Sequence, residues 1–190
     1  ETFATTGAGL LTLQLQSSSV EIDTYNGQEV SIEIHRSMKR GDQNDFAKEL
    51  EKFDLTFEQS GNQIQCTLNY ENNNSVWSLS SGYKHRLGLR TMVRIPKEYD
   101  VQIQTSGGSV SLSNLVGNAT LKTSGGKISM ESVQGNITAR TSGGGIRADD
   151  CVGNVDMHTS GGPIQANNAN GTLVARTSGG NITVQDVSGN

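Results

Sequence analysis

The string Thr-Ser-Gly-Gly begins at Thr105, Thr123, Thr141, Thr159 and Thr177, so it returns every 18 residues without an insertion. A second marker keeps the same phase: Gly117, Gly135, Gly153, Gly171 and Gly189, with Asn118, Asn136, Asn154 and Asn190 behind four of them. A fixed period of this length means stacked units, each too small to bury a core alone. With the threonine as position 1, apolar residues fall at positions 6, 8, 11, 15 and 17, which in the first unit are Val110, Leu112, Leu115, Ala119 and Leu121. Gaps of two put alternate side chains on one face of a strand. Positions 6 and 8 lie nine residues from positions 15 and 17, so each unit predicts two short strands joined by two glycine corners. The reading is an all-β parallel β-solenoid (β-helix) with 18-residue, two-sheet turns.

Two rivals fail on the same strings. A three-sided hexapeptide coil needs apolar residues six apart, yet position 18 carries the basic side chains of Lys122, Arg140, His158 and Arg176. A helix would be interrupted about every nine residues by Ser-Gly-Gly or Gly-Asn. Each chain reversal favours glycine, by positive φ and by lack of room for a Cβ. The Gly-Gly pair is therefore read as a corner and not as a phosphate cradle, since no helix follows to supply a dipole.

Composition divides the chain in two. Residues 105–190 hold 16 of the 23 glycines, whereas all nine aromatic residues lie at or before Tyr99. A core of Ala, Val, Ile and Met is too thin for rings. Net charge is −4, which argues against general attraction to nucleic acid. No apolar run approaches the ~20 residues of a membrane-crossing helix, so no transmembrane segment is expected. Cys66 and Cys151 sit in alternating apolar patterns and read as small buried hydrophobes rather than a bridge. The chain opens at Glu1 without a Met, which reads as a processed or trimmed form with any export signal out of view.

Ahead of the repeats, Leu11–Leu15, Val20–Asp23 and Val30–Ile34 alternate as strands, with Asn26-Gly27 as the turn between the last two. Asp45–Phe53 places Phe46, Leu50 and Phe53 on one helical face after an Asn44 or Asp45 cap, predicting a short helix. Leu55–Glu58 and Ile64–Leu68 pair across Ser60-Gly61-Asn62, and a polar loop runs from Asn72 to about Gly88. Residues 1–100 are thus read as an irregular, aromatic-rich cap, and residues 101–190 as regular repeats. The two form one continuous architecture in which the cap hides the strand edges of the first turn.

An irregular strand-rich start, a DFAKELEKF-like helix, an RIPKEYDVQI lead-in strand and repeated TSGGxI…VxGN units together resemble the bacterial putative-adhesin domain family of unknown function. The resemblance runs from about Leu11 to Asn190. It implies an exported β-solenoid of the bacterial cell envelope, on the cell surface or in the periplasm, with a role in adhesion. It supplies no catalytic residues.

Glu131 and Asp149 stand at position 9 of successive units, ~4.8 Å apart as neighbouring strands, a spacing open to a polysaccharide lyase or a glycosidase pair. Two solvated carboxylates beside Arg147 explain it as well. His35, His85 and His158 share no metal-ligand spacing, so no metal is expected, and no cofactor is implied. No Ser/His/Asp grouping or GxSxG string exists. Arg40-Gly41-Asp42 matches an integrin-type tripeptide by composition alone. The NxS/T strings at Asn118, Asn136, Asn170 and Asn181 come from the repeat itself.

The candidate binding residues are the basic column Lys122, Arg140, His158 and Arg176, beside Asn118, Asn136 and Asn154. Like charges set opposite one another are unfavourable, so the column suits anionic glycan or lipid headgroups. The expected function is a non-enzymatic adhesin with carbohydrate or anionic-surface partners. A polysaccharide-active β-helix enzyme and a structural assembly module are the alternatives. Asn190 falls at position 14 of a unit, so an open C-terminal edge is also expected, from either truncation or end-to-end self-association.

Overall fold

The computed structural model describes residues 1–38, 51–70 and 87–189. Among these residues there is no helix. In chain order the strands are β1 (Thr2–Ala4), β2 (Leu10–Leu15), β3 (Ser18–Tyr25), β4 (Glu29–Met38), β5 (Phe53–Ser60), β6 (Gln63–Tyr70), β7 (Leu87–Pro96) and β8 (Asp100–Thr105). The repeats continue with β9 (Val110–Ser113), β10 (Ala119–Thr123), β11 (Ile128–Glu131), β12 (Ile137–Thr141) and β13 (Ile146–Asp149). They end in β14 (Val155–Thr159), β15 (Ile164–Asn167), β16 (Leu173–Thr177) and β17 (Ile182–Gln185). Sheet A has the order β1-β4-β7-β3-β9-β11-β13-β15-β17, and sheet B has β16-β14-β12-β10-β8-β2-β6-β5.

From β8 onward the chain alternates between the sheets, and each strand pairs in parallel with its counterpart 18 residues on, as Ile128 with Ile146 and Leu121 with Ala139. Side chains at equivalent positions therefore stack into columns. Ile128, Ile146 and Ile164 form one buried column, and Leu112, Met130, Ala148 and Ala166 form the next. Each isoleucine so buried contributes roughly 1.5–3 kcal/mol by transfer from water. A single cluster of buried residues runs from Leu11 to Ala166 through both parts of the chain.

The Thr-Ser-Gly-Gly corner is held by its threonine. Thr141 is buried; its hydroxyl donates to the Gly126 carbonyl at 2.9 Å and accepts from the Gly144 amide at 3.3 Å. Thr123 and Thr159 repeat the pattern. Two backbone groups that the tight reversal would orphan are thereby satisfied. The two glycines differ sharply. A Cβ on Gly144 would lie 1.9 Å from the Gly126 carbonyl oxygen, whereas one on Gly143 would meet nothing nearer than 3.7 Å. The second glycine is required by the approach of the preceding turn, the first is not, and neither has positive φ. Positive φ falls elsewhere: at the opposite-corner glycines such as Gly135 (φ 143°), and at position 10, where Asn114, Ser132, Asp150, Asn168 and Asp186 have φ from 51° to 59°. Asn, Asp and Ser here replace the glycine that sequence reasoning assigns to every left-handed residue.

The N-terminal strands enter the same stack out of chain order. Strand β2 lies between β6 and β8, and β3 between β7 and β9, all in parallel. The chain passes from β7 to β8 around a turn that it laid down much earlier. Antiparallel strands close this end: β5 covers β6, β4 covers β7, and β1 in turn covers β4. Strand edges are hidden in this way. The β5–β6 pair turns through Gly61 (φ 59°), as the sequence predicts. Asn26-Gly27 does not make a two-stranded hairpin, because β7 lies between β3 and β4. Of the helix expected over Asp45–Phe53, residues 45–50 lie outside the described residues, Glu51 and Lys52 form a turn, and Phe53 opens a strand. The loop expected from Asn72 to Gly88 lies almost wholly outside them too. At the other end Ile182, Val184 and Val187 on the last turn are 40–46% exposed.

Candidate binding face

Sheet B's outward side chains form two rows along the stack. Cross-strand register places Lys122, Arg140, His158 and Arg176 side by side on β10, β12, β14 and β16. Three of the four are exposed and His158 is half-buried. The adjoining row carries Thr120, Thr138, Asp156 and Val174. Asp156 stands between two of the cations: the Arg140 guanidinium donates to its Oδ2 at 2.7 Å, and Arg176 approaches Oδ1 at 3.6 Å. That Oδ1 is buried and accepts no hydrogen bond among the described residues. One carboxylate thus relieves the like-charge contact along the column. Three fixed cations against one carboxylate leave the patch positive on a chain whose net charge is −4.

The asparagines beside this column are linked to one another. Asn136 donates its side-chain amide to Oδ1 of Asn118 at 3.0 Å, Asn154 donates to Oδ1 of Asn136 at 2.9 Å, and Asn118 donates to Asp100 at 3.2 Å. The backbone amides of Asn118 and Asn136 donate to the same acceptors, Asp100 and Asn118, one turn back. The column is a ladder that ties turn to turn, ending on a carboxylate. Each amide keeps one N–H outside the ladder.

On sheet A, Glu131 and Asp149 are direct cross-strand partners, as their spacing implies. Asp149 is held on both oxygens, by Arg147 at 2.5 Å and by Asn167 at 2.6 Å. Burial works to raise its carboxyl. The hydrogen bonds from Arg147 and Asn167 and the charges of Arg147 and Lys127 outweigh it, so the group stays below the ordinary carboxylate range. A general acid needs the opposite shift. Asp150 is tied to Asn168 in the same fashion.

The family profile described as Toastrack DUF4097 matches residues 10–188. The chain belongs to the Toastrack DUF4097 family. No curated protein matches this Toastrack chain. A crystal structure of a "putative cell adhesion protein" from Clostridium sporogenes is similar to it at 9% identity over 97% of each chain, with a TM-score of 0.40.

The remaining candidates of the Toastrack chain separate cleanly. Cys66 and Cys151 are both free and buried. Burial pushes the Cys66 thiol up to about 11, against a smaller lowering by the N-terminal charge, and burial likewise raises that of Cys151. Both are packing residues. No group of three or more His, Cys, Asp or Glu that could hold a metal occurs among the described residues. No helix there is long and apolar enough to cross a membrane. Arg40-Gly41-Asp42 and His85 lie outside the described residues.

Sequence reasoning missed the face's other half. The two rows of sheet B continue past β10 onto β8, β2 and β6, as Gln102 and Gln104, Thr12 and Gln14, then Gln65 and Thr67. The signal was the outward positions of the alternating strands, but without the β6-β2-β8 order nothing placed them on one surface.

Proposed function

We propose that this Toastrack chain is a non-enzymatic, exported protein of the bacterial cell envelope that uses the outer face of sheet B to bind glycans at a surface, as an adhesin does. One observation carries the reading: Lys122, Arg140, His158 and Arg176 stand in register on one sheet face and retain a net positive charge after Asp156 is counted. Cations spaced one strand apart match an extended anionic chain lying along the solenoid axis. Such contacts steer association and weaken with salt. Binding without bond cleavage is supported by the state of Asp149, whose two oxygens are occupied and whose proton affinity is lowered.

The test is a glycan array probed with the intact protein and with Arg140→Ser/Arg176→Ser. The parent should retain acidic oligosaccharides and lose them at high salt, and the double variant should lose them at low salt. Both arginines lie at the surface and their ion pairs with Asp156 are solvent-accessible, so the melting point should move little. Unchanged binding by the double variant would refute the reading. Release of shortened oligosaccharides during incubation would replace it with the enzyme.

A further inference from the structure

We infer that the glycan face has a second, uncharged subsite next to the basic column: a shallow trough of Gln and Thr side chains over β2, β8 and β10 that takes neutral sugars. The inference rests on the glycan-binding reading above and specifies its ligand as a chain in which a neutral stretch adjoins an acidic one.

The trough has a volume of about 190 Å³ and is lined by Thr12, Gln14, Gln102, Gln104, Thr120 and Lys122, with Leu13 and Ile103 at its floor. Register fixes the layout. Gln14, Gln104 and Lys122 continue the line of the basic column, and Thr12, Gln102 and Thr120 run parallel to them. The three glutamines and Lys122 are exposed, and the two threonines are half-buried. Among the described residues none of the six side chains has a hydrogen-bond partner within the chain.

That freedom contrasts with the corner next door. Asn118, Asn136 and Asn154, also one turn apart, zip into a ladder. The glutamines on the face do not, so both donors and the acceptor of each amide point at solvent. On sheet A's face the arginines have partners within the chain instead, Arg90 with Glu21 at 2.6 Å and Arg94 over the Tyr25 ring at 4.6 Å.

The chemistry selects the occupant. The outward side chains of β2, β8 and β10 that line the trough include no aromatic and no carboxylate, and Lys122 is their one cation. A protein partner draws its affinity from buried aromatic, Met and Arg anchors, which this surface lacks. A nucleic acid or an anionic membrane needs several cations together. A second copy would bring the same unanchored amides. Amides that donate and accept, beside hydroxyls, suit a ligand made of hydroxyl and acetamido groups. Lys122 marks the boundary, where the first acidic sugar would meet the start of the basic column.

The test uses three hexasaccharides as probes: chitohexaose (neutral), hyaluronan hexasaccharide (an acid on alternate sugars) and hexagalacturonate (an acid on every sugar). Titration calorimetry of the protein should show binding of all three, chitohexaose through the trough, hexagalacturonate through the basic column and hyaluronan through both. Gln14→Ala/Gln102→Ala/Gln104→Ala should weaken hyaluronan and chitohexaose by about tenfold or more, the loss of several hydrogen bonds. It should leave hexagalacturonate and the melting point unchanged. Arg140→Ser/Arg176→Ser should weaken only the two acidic probes. The trough is overturned, and the basic column stands, if the glutamine variant binds all three like the parent or if chitohexaose alone fails to bind. Absence of binding to every probe overturns both.

Discussion

The first hundred residues and the repeats that follow build the same two-sheet coil by different means. From β8 to β17, stack order is chain order and each corner is a copy of the last. Thr141 bonds across to Gly126 as Thr123 does to Gly108. In the N-terminal part, β2 and β3 fill a slot between strands that come much later, and antiparallel β5, β4 and β1 close the end. The glycine column itself stops at this boundary. Thr105 makes its corner bond to the Ser18 carbonyl, and the Ser18 hydroxyl meets that of Thr91 at 2.9 Å. Repetition is needed where turns stack on identical turns. Where the stack ends, individual contacts can replace it. The outer face divides near the same place: outward side chains are uncharged over β6 and β2 and, apart from Asp100 at its start, over β8, and charged over the repeats.

The largest effect that tests this contrast lies within one glycine pair. Gly144→Ala forces a Cβ to within 1.9 Å of a backbone oxygen and should cost roughly 3–5 kcal/mol in urea unfolding, the range of severe core strain. Gly143→Ala has room and should stay within about 0.5 kcal/mol, or gain slightly through the unfolded chain. Equal costs would mean that the turns do not approach as closely as described.

Next in size is the corner threonine. Thr141→Val keeps the shape and removes both hydrogen bonds, leaving a buried carbonyl and amide unpaired at a cost of about 1–3 kcal/mol. On the N-terminal side, Ser18→Ala loses only the side-chain contacts, to Thr91 and the Ser19 carbonyl, and should cost about 1 kcal/mol. If Ser18→Ala proved the worse of the two, the boundary would be as tightly specified as the repeats.

Strand order has its own check. Thr12 and Gln102 are direct partners on β2 and β8, with parallel strands ~4.8 Å apart, within disulfide reach. Thr12→Cys/Gln102→Cys should close an intramolecular bridge on mild oxidation, visible by mass spectrometry, while buried Cys66 and Cys151 stay unmodified. A stack that followed chain order would leave the two thiols apart. The smallest effect concerns acid. The lowered Asp149 carboxyl adds stability above the ordinary value of 3.8, and this is lost as pH falls through its lower native value. Asp149→Asn should therefore flatten the acid limb of stability only below about pH 4.

The repeat was legible because its information is local. Alternation at positions 6, 8, 15 and 17, with corners nine residues apart, needs no knowledge of distant sequence. Position 10 was missed because Asn114, Ser132, Asp150, Asn168 and Asp186 are not glycine, although their shared phase was visible. The slot taken by β2 and β3 was not legible, since alternating strands such as Leu11–Leu15 and Ile64–Leu68 offer the same apolar face to any neighbour. Of the candidate binding face, the basic column could be read from its period. Asp156 one row over, the asparagine ladder and the free glutamines depend on side-chain geometry that periodicity does not carry.

The central claim is that one face, spanning both regions, holds the ligand. Glutamine side chains on both faces allow it to be measured directly, by following ¹⁵N-labelled amide signals during titration with hyaluronan hexasaccharide. Gln14, Gln102 and Gln104 on sheet B should shift together with the Arg140 and Arg176 guanidinium signals, while Gln165 and Gln185 on sheet A stay still. Shifts confined to Gln165 and Gln185, or none on sheet B at saturating ligand, would contradict the account.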